Sequence, residues 1–438
     1  MGDKNIKRLA ARHPSLAWVG LLLAVGLLPA SAVEFATRLI SDPTRMNRDP
    51  VISASGLIAW VAHGTSEVNS SQADLVVLDG EERRVLTDGQ GTSVFGSHRP
   101  VVHSNTVVWL AYCAQRGAEP SWILREVADR DAGAPELPAS YLATEQDGRQ
   151  QLTVASNVTE SSTNAMAPAR RHPSGLGEIM RWDRDGEVRR ITSDFRNDFA
   201  PSVWGTMVAW QVAKGFPFGW EIMASDNGNF IQLTTNFYYD MAPKVYGRQI
   251  TWYGWDGHDF EIFLYDQDKN STIQITSNQY DDVSPVIWDG QIAWEGYPAA
   301  ESDIFLWKNG EIKKLSDNIE DDFNPRIWNG QVVWQGFDGD DFEIYYYDGS
   351  NPPFKLTINT FDDTNPDIGE RFITWAGFKE NWDAEIYALD KSGEAKSGTE
   401  IQLTDNEEED RDPRTAGSRI VWQGERQGQI GVYLAEPK

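Results

Sequence analysis

Eight copies of one phrase run through this chain, each a proline followed nine or ten residues later by a tryptophan. The pairs are Pro50/Trp60, Pro100/Trp109, Pro201/Trp210, Pro243/Trp252, Pro285/Trp294, Pro325/Trp334, Pro366/Trp375 and Pro413/Trp422. From Trp210 to Trp375 the anchors fall 42, 42, 40 and 41 residues apart. Self-similarity at this period means one supersecondary unit repeated, each copy burying its apolar face against the next. The array constrains the fold far more than the activity, because a repeat scaffold carries its function on its loops.

One unit can be read strand by strand. Ser284 to Trp288 is a short strand, and Asp289-Gly290 is a two-residue turn that demands positive φ. Gln291 to Glu295 returns, Asp303 to Trp307 follows a loop, and Asn309-Gly310 turns the chain into Glu311 to Ser316. The result is a four-stranded antiparallel meander. The same pattern fits Asn324–Thr357 and Ala242–Thr276. Repeated units of about 40 residues and four strands indicate an all-β fold, a β-propeller of four-stranded blades. The last repeat supplies only three strands, whereas Thr37 to Ser41 matches the fourth-strand phrase Gln402-Leu403-Thr404. The N-terminal strand is therefore expected to complete the C-terminal blade and close the ring. Eight blades are expected, with an insertion at residues 113–175. Nine, or one degenerate blade, is the alternative.

Residues 1–32 have the pattern of a signal peptide. Lys4, Lys7, Arg8 and Arg12 precede an apolar run from Leu16 to Leu28, and Ala30-Ser31-Ala32 forms a cleavage site. Residues 33–438 would then be a single propeller domain outside the cytosol, periplasmic or secreted. Cys113 is the single cysteine, so no internal disulfide supports it. The formal charge is −27, and residues 33–438 hold 35 basic against 65 acidic residues. Such a surface disfavours nucleic acid and anionic membranes, and favours solubility and basic partners.

The phrase Asp-x-x-Pro, an apolar strand, a Gly turn, Ile/Val-x-Trp, then Glu-Ile-Tyr and Gln-Leu-Thr resembles the TolB-like propeller repeat. Asp322–Thr357 and Asp282–Ser316 carry it most closely, and the likeness extends over most of residues 33–438. It implies a secreted or periplasmic propeller. Some relatives join this propeller to a serine peptidase domain, but no G-x-S-x-G occurs in this chain. Others are metal-dependent sugar lyases.

In such a meander the second-to-third-strand loops and the inter-blade loops share one face. The aromatics Trp220, Trp255, Tyr297, Phe337, Phe378 and Trp382 would ring that mouth as a ligand-binding surface, with Phe216 and Phe218 beside them. Asp198, Asp240, Asp282, Asp322, Asp363 and Asp410 stand three residues before the prolines and are expected to brace the loops through backbone amides. The preceding acids, such as Asp281, Asp321 and Asp362, would form a freer negative rim. Glu221, Glu261, Glu343 and Glu385 are expected to hold blade-to-blade hydrogen bonds.

No catalytic set and no cofactor emerges. His258 is the best single acid–base candidate, and His98 with His103 lacks a third metal ligand. Calcium is the one ion that Asp266-x-Asp268-x-Asn270 or Asp338 to Asp341 would suit, yet neither completes a calcium loop. The leading expectation is therefore a non-enzymatic, monomeric propeller that binds a protein or peptide partner through its aromatic, acidic face. The alternatives are a glycan-binding or glycan-active propeller, or a structural surface module.

Overall fold

In the computed structural model the described residues are 33–63, 73–87, 100–112, 177–184, 186–194, 196–214, 219–316, 318–379, 383–392 and 400–438. They build eight four-stranded antiparallel sheets in sequential order. Blades 1 to 8 are numbered here by their anchor tryptophans, from Trp60 to Trp422. Seven are simple meanders, and the eighth is closed from the other end of the chain, as Phe35–Leu39 pairs with Gln429–Pro437 with Thr37 opposite Ala435. The Ser41 hydroxyl accepts the Val432 amide at 2.9 Å, fastening the closure. The expected insertion at 113–175 lies outside the described residues.

The repeat period becomes a packing rule. All eight anchor tryptophans are at most 1% exposed, and each lies in the apolar layer between neighbouring sheets. In blades 4 to 8 the anchor stacks on a third-strand aromatic. Trp252/Phe263, Trp294/Phe305, Trp334/Tyr345, Trp375/Tyr387 and Trp422/Tyr433 have centroids 5.7–6.0 Å apart and nearly parallel planes. Burying rings of this size supplies much of the apolar contact that a disulfide-free fold needs.

The repeated aspartates hold the anchors, but through a different donor from the one expected. The indole Nε1 of Trp252, Trp294, Trp334 and Trp422 donates to Asp240, Asp282, Asp322 and Asp410 at 2.7–3.0 Å. The second carboxylate oxygen of Asp240, Asp282, Asp363 and Asp410 accepts the side-chain amide of an asparagine four residues earlier. These carboxylates are buried, too deep to reach as rim ligands. Burial pushes Asp198, Asp282 and Asp322 up to about 7, Asp240 to about 6 and Asp363 to about 8. Blade 1 uses the neutral Asn47 instead, which accepts from Trp60 at 3.1 Å.

Seven of the eight first strands, all but that of blade 2 as described, also contain a bulge. The residue before the proline has positive φ at Asp49, Ala200, Ala242, Ser284, Asn324, Asn365 and Asp412. The bulge turns its amide toward the preceding blade. There Gln211, Glu295 and Gln335, each directly after an anchor tryptophan, accept from Ala242, Asn324 and Asn365 at 2.7–2.9 Å. These bonds join neighbouring blades. The acids Glu261, Glu343 and Glu385 instead tie the third strand to the loop leaving the fourth, accepting from Asn278, Asn359 and Asn406.

Candidate functional site

The first strands line the central channel, and their alternation decides what it presents. The proline and the second residue after it point into the blade. The first and third residues after it face the axis. A cavity of about 180 Å³ lies there, lined across five consecutive blades by Ser202, Lys244, Val286, Arg326, Asp367 and their strand neighbours. Arg414 occupies the equivalent position in blade 8, and Val51 and Val101 complete the ring in blades 1 and 2.

This waist is basic in a strongly acidic chain. Lys244 is reached by solvent yet has protein on every side; desolvation first, and then Arg326, bring its ammonium down to about 8. Asp367 accepts the Thr415 amide at 2.8 Å, so it is partly engaged in joining blades 7 and 8. Glu295, buried behind the waist, is pushed up to about 8 by that burial despite the nearby Arg326.

The third residue after the proline forms an aromatic arc. His103, Trp204, Tyr246, Trp288 and Trp328 occupy this position in blades 2 to 6. His103 stacks on Trp204 at 3.9 Å, Trp204 meets Tyr246 at 3.9 Å, Tyr246 meets Trp288 at 4.9 Å, and Trp288 meets Trp328 at 5.7 Å. Trp204 also touches Trp288 edge-on at 5.9 Å, so the arc curls inward over the channel. Gly369 takes this position in blade 7, against Thr415 of blade 8, and Lys391 lies 4.2 Å above the Trp328 ring, bonded to Gln331 at 2.7 Å. All five ring residues are half-buried. The arc lies at the channel end where the first-to-second-strand hairpins turn.

The aromatics expected from the sequence belong to the opposite face. Trp255, Tyr297, Phe337 and Phe378 lie where second-to-third-strand loops meet inter-blade loops, and Trp220 bridges Tyr239. Trp255, Tyr297, Phe337 and Phe378 donate to Tyr239, Asp281, Asp321 and Asp362 at 2.8–2.9 Å. Their rings are half-buried, and those of Trp220, Trp255 and Phe337 turn onto their own blades. Trp220 packs on Phe199 at 5.0 Å, and Trp255 on Phe260 and Phe337 on Phe342 at 5.3 Å. Phe378 joins the core around Phe372. Trp382, Phe216 and Phe218 lie outside the described residues. The acids Asp281, Asp321 and Asp362 are not a free rim, since each accepts the amide that opens a third strand, at Phe260, Ser302 and Phe342.

The remaining polar candidates also resolve. His258 is 90% exposed, 3.8 Å from Asp256. His103 accepts the Gly205 amide at Nδ1, and burial lowers its pKa. His98 lies outside the described residues. Asp266 pairs with Lys269, Asp268 with Arg248 and Asp338 with Lys355, so a protein cation already holds part of each expected calcium cluster.

The fold and channel define a closed eight-bladed β-propeller. No family model matches the chain, and no curated protein matches it. Solved structures do. The chain superposes on a prolyl endopeptidase with a TM-score of 0.52 and 10% identity, covering 89% of this chain and 55% of the other. The Porphyromonas gingivalis dipeptidyl peptidase 4 gives a TM-score of 0.51 at 11% identity, over 88% of this chain and 56% of the other. Acinetobacter baumannii TolB aligns over 61% of this chain at a TM-score of 0.34. The chain therefore spans little more than half the length of the two peptidases. The expectation of a non-enzymatic propeller is corrected by these matches, because in both the propeller fold is part of an enzyme.

Proposed function

We propose that this propeller belongs to the peptidase-related class and admits peptides to its central channel. The carrying observation is the aromatic arc from His103 to Trp328 above a basic waist. Flat ring faces at a channel mouth suit proline rings and apolar side chains. Lys244 and Arg326 deeper in suit the terminal carboxylate of an extended peptide. Within propellers we place the repeat with the TolB-like group, on its Asp-x-x-Pro and Gln-Leu-Thr phrases, and the protein outside the cytosol, on residues 1–32. Among the described residues no helix is long and apolar enough to cross a membrane.

The test is a tryptophan-fluorescence titration with peptides of four to ten residues carrying free or amidated C-termini. Wild type should bind the free acids more tightly. Trp204→Ala/Trp288→Ala should weaken both sets at least tenfold, and Lys244→Gln/Arg326→Gln should erase the preference for the free acid. Unchanged affinity in both double variants would sink the proposal.

A further inference from the structure

The same acidic loop is built twice in this molecule, once with its charge neutralised and once without. In blade 6, Asp338 accepts the Asp340 amide at 2.9 Å and its own amide donates to Asp341 at 3.1 Å, around Gly339 with φ 103°. In blade 4, Asp256 accepts the His258 amide at 2.9 Å and donates to Asp259 at 3.1 Å, around Gly257 with φ 117°. Both loops gather three carboxylates whose oxygens lie within 4.8 Å of one another: Asp338, Asp341 and Glu343, and Asp256, Asp259 and Glu261.

The two loops differ in their cation. In blade 6 the Lys355 ammonium bonds Asp338 and lies 4.0 Å from Glu343. Lys355 comes from the fourth strand, opposite Tyr345. The residue opposite the matching Phe263 in blade 4 is Gln274. The same fourth-strand position supplies Arg190 to Glu178 at 2.6 Å in blade 2 and Lys314 to Asp303 at 2.8 Å in blade 5. Blade 1 neutralises Asp74 with Arg45 at 2.9 Å, and blade 3 neutralises Glu221 with Lys214. Among the described residues no lysine or arginine pairs with Asp256, Asp259 or Glu261.

What remains in blade 4 is buried anionic oxygen with no lysine or arginine partner among the described residues. Glu261 is 0% and Asp259 7% exposed, and Glu261 Oε2 and Asp259 Oδ1 have no hydrogen-bond partner. In blade 6 the corresponding Glu343 has both oxygens bonded, to the Thr357 hydroxyl and the Asn359 amide. An uncompensated buried carboxylate is costly, and three of them facing one another are more so.

We propose that Asp256, Asp259 and Glu261 form a binding site for a divalent cation of the calcium type, which takes in blade 4 the place that Lys355 occupies in blade 6. Three carboxylate ligands match the hard-oxygen preference of calcium, and water completes its coordination. Trp255, next to Asp256 in sequence, provides a reporter.

The probes are terbium, read by tryptophan-sensitised emission, and calcium, read by calorimetry and by competition with terbium. Wild type should show one saturable site. Gln274→Lys, at an exposed position, should weaken binding at least tenfold without lowering the calcium-free melting temperature. Asp259→Asn should also weaken binding at least tenfold, and Lys355→Gln should raise the stoichiometry from one to two. A wild type without saturable binding, or binding that survives Gln274→Lys, overturns the proposal.

Discussion

Replacing Asp282 with alanine isolates the interaction that recurs around the ring. Its carboxylate accepts the Trp294 indole at 2.7 Å and the Asn278 amide at 2.5 Å, inside a site that is 1% exposed. Asp282→Ala strands both donors, at about 1–3 kcal/mol each, while removing the desolvation cost of the carboxyl offsets part of the loss. The net expectation is a loss of about 3 kcal/mol. For a domain of this size that lowers Tm by about 3–4 °C. Asp282→Asn should lose only about 1 kcal/mol, since it keeps an acceptor for the indole, as Asn47 does for Trp60 in blade 1. Trp294→Phe completes a double-mutant cycle, and removing both partners should be less damaging than the sum of the singles by about 1 kcal/mol. The assay is thermal unfolding by circular dichroism at fixed pH. Strict additivity, or an Asp282→Asn variant no better than Asp282→Ala, would refute the reasoning.

Three further outcomes follow from the same geometry. The buried aspartates bind protons more tightly folded than unfolded, where the ordinary value is 3.8, so their stabilisation is full below that value and is lost as pH climbs through about 6 to 8; Tm should fall between pH 5 and pH 8, and a rise would contradict the assignment. Gly296→Ala would place a methyl 2.6 Å from Asp282 and 2.7 Å from Phe305, so it should cost about 2 kcal/mol or more in the same melt, whereas Gly310→Ala meets no atom and should cost little beyond turn strain. Deleting residues 33–41 removes the strand that pairs with Gln429–Pro437 and exposes a long sheet edge; size-exclusion chromatography should show association and the melt a drop of several degrees, and an unchanged monomer would count against the closure.

The fold was legible because its determinants are local and repeated. Asn-Gly and Asp-Gly turns set the hairpins, the proline–tryptophan spacing set the strands, and Thr37 to Ser41 betrayed the closure by matching a fourth strand. The role of Asp282 and its equivalents was less legible, since their partner is an indole 12 residues away that comes close only when the first two strands pair. The arc was present in the sequence as the aromatic just before each turn, at Trp204-Gly205, Tyr246-Gly247, Trp288-Asp289 and Trp328-Asn329. Reading those residues as ordinary strand positions missed that first strands converge on the axis, where equivalent side chains of different blades meet. The expected mouth aromatics repeat for a local reason. Trp255 and Phe337 repeat because each braces its own third strand, at Phe260 and Phe342. Asp256 and Asp338 look alike in sequence, and what separates them, Gln274 against Lys355, lies on another strand.

The most direct test of the channel account is a structure of the protein with a saturating hexapeptide that ends in a free carboxylate. The account predicts peptide density running from the His103–Trp328 arc toward Lys244 and Arg326. Density on the opposite face beside Trp255, Phe337 and Phe378, with the channel empty, would contradict it.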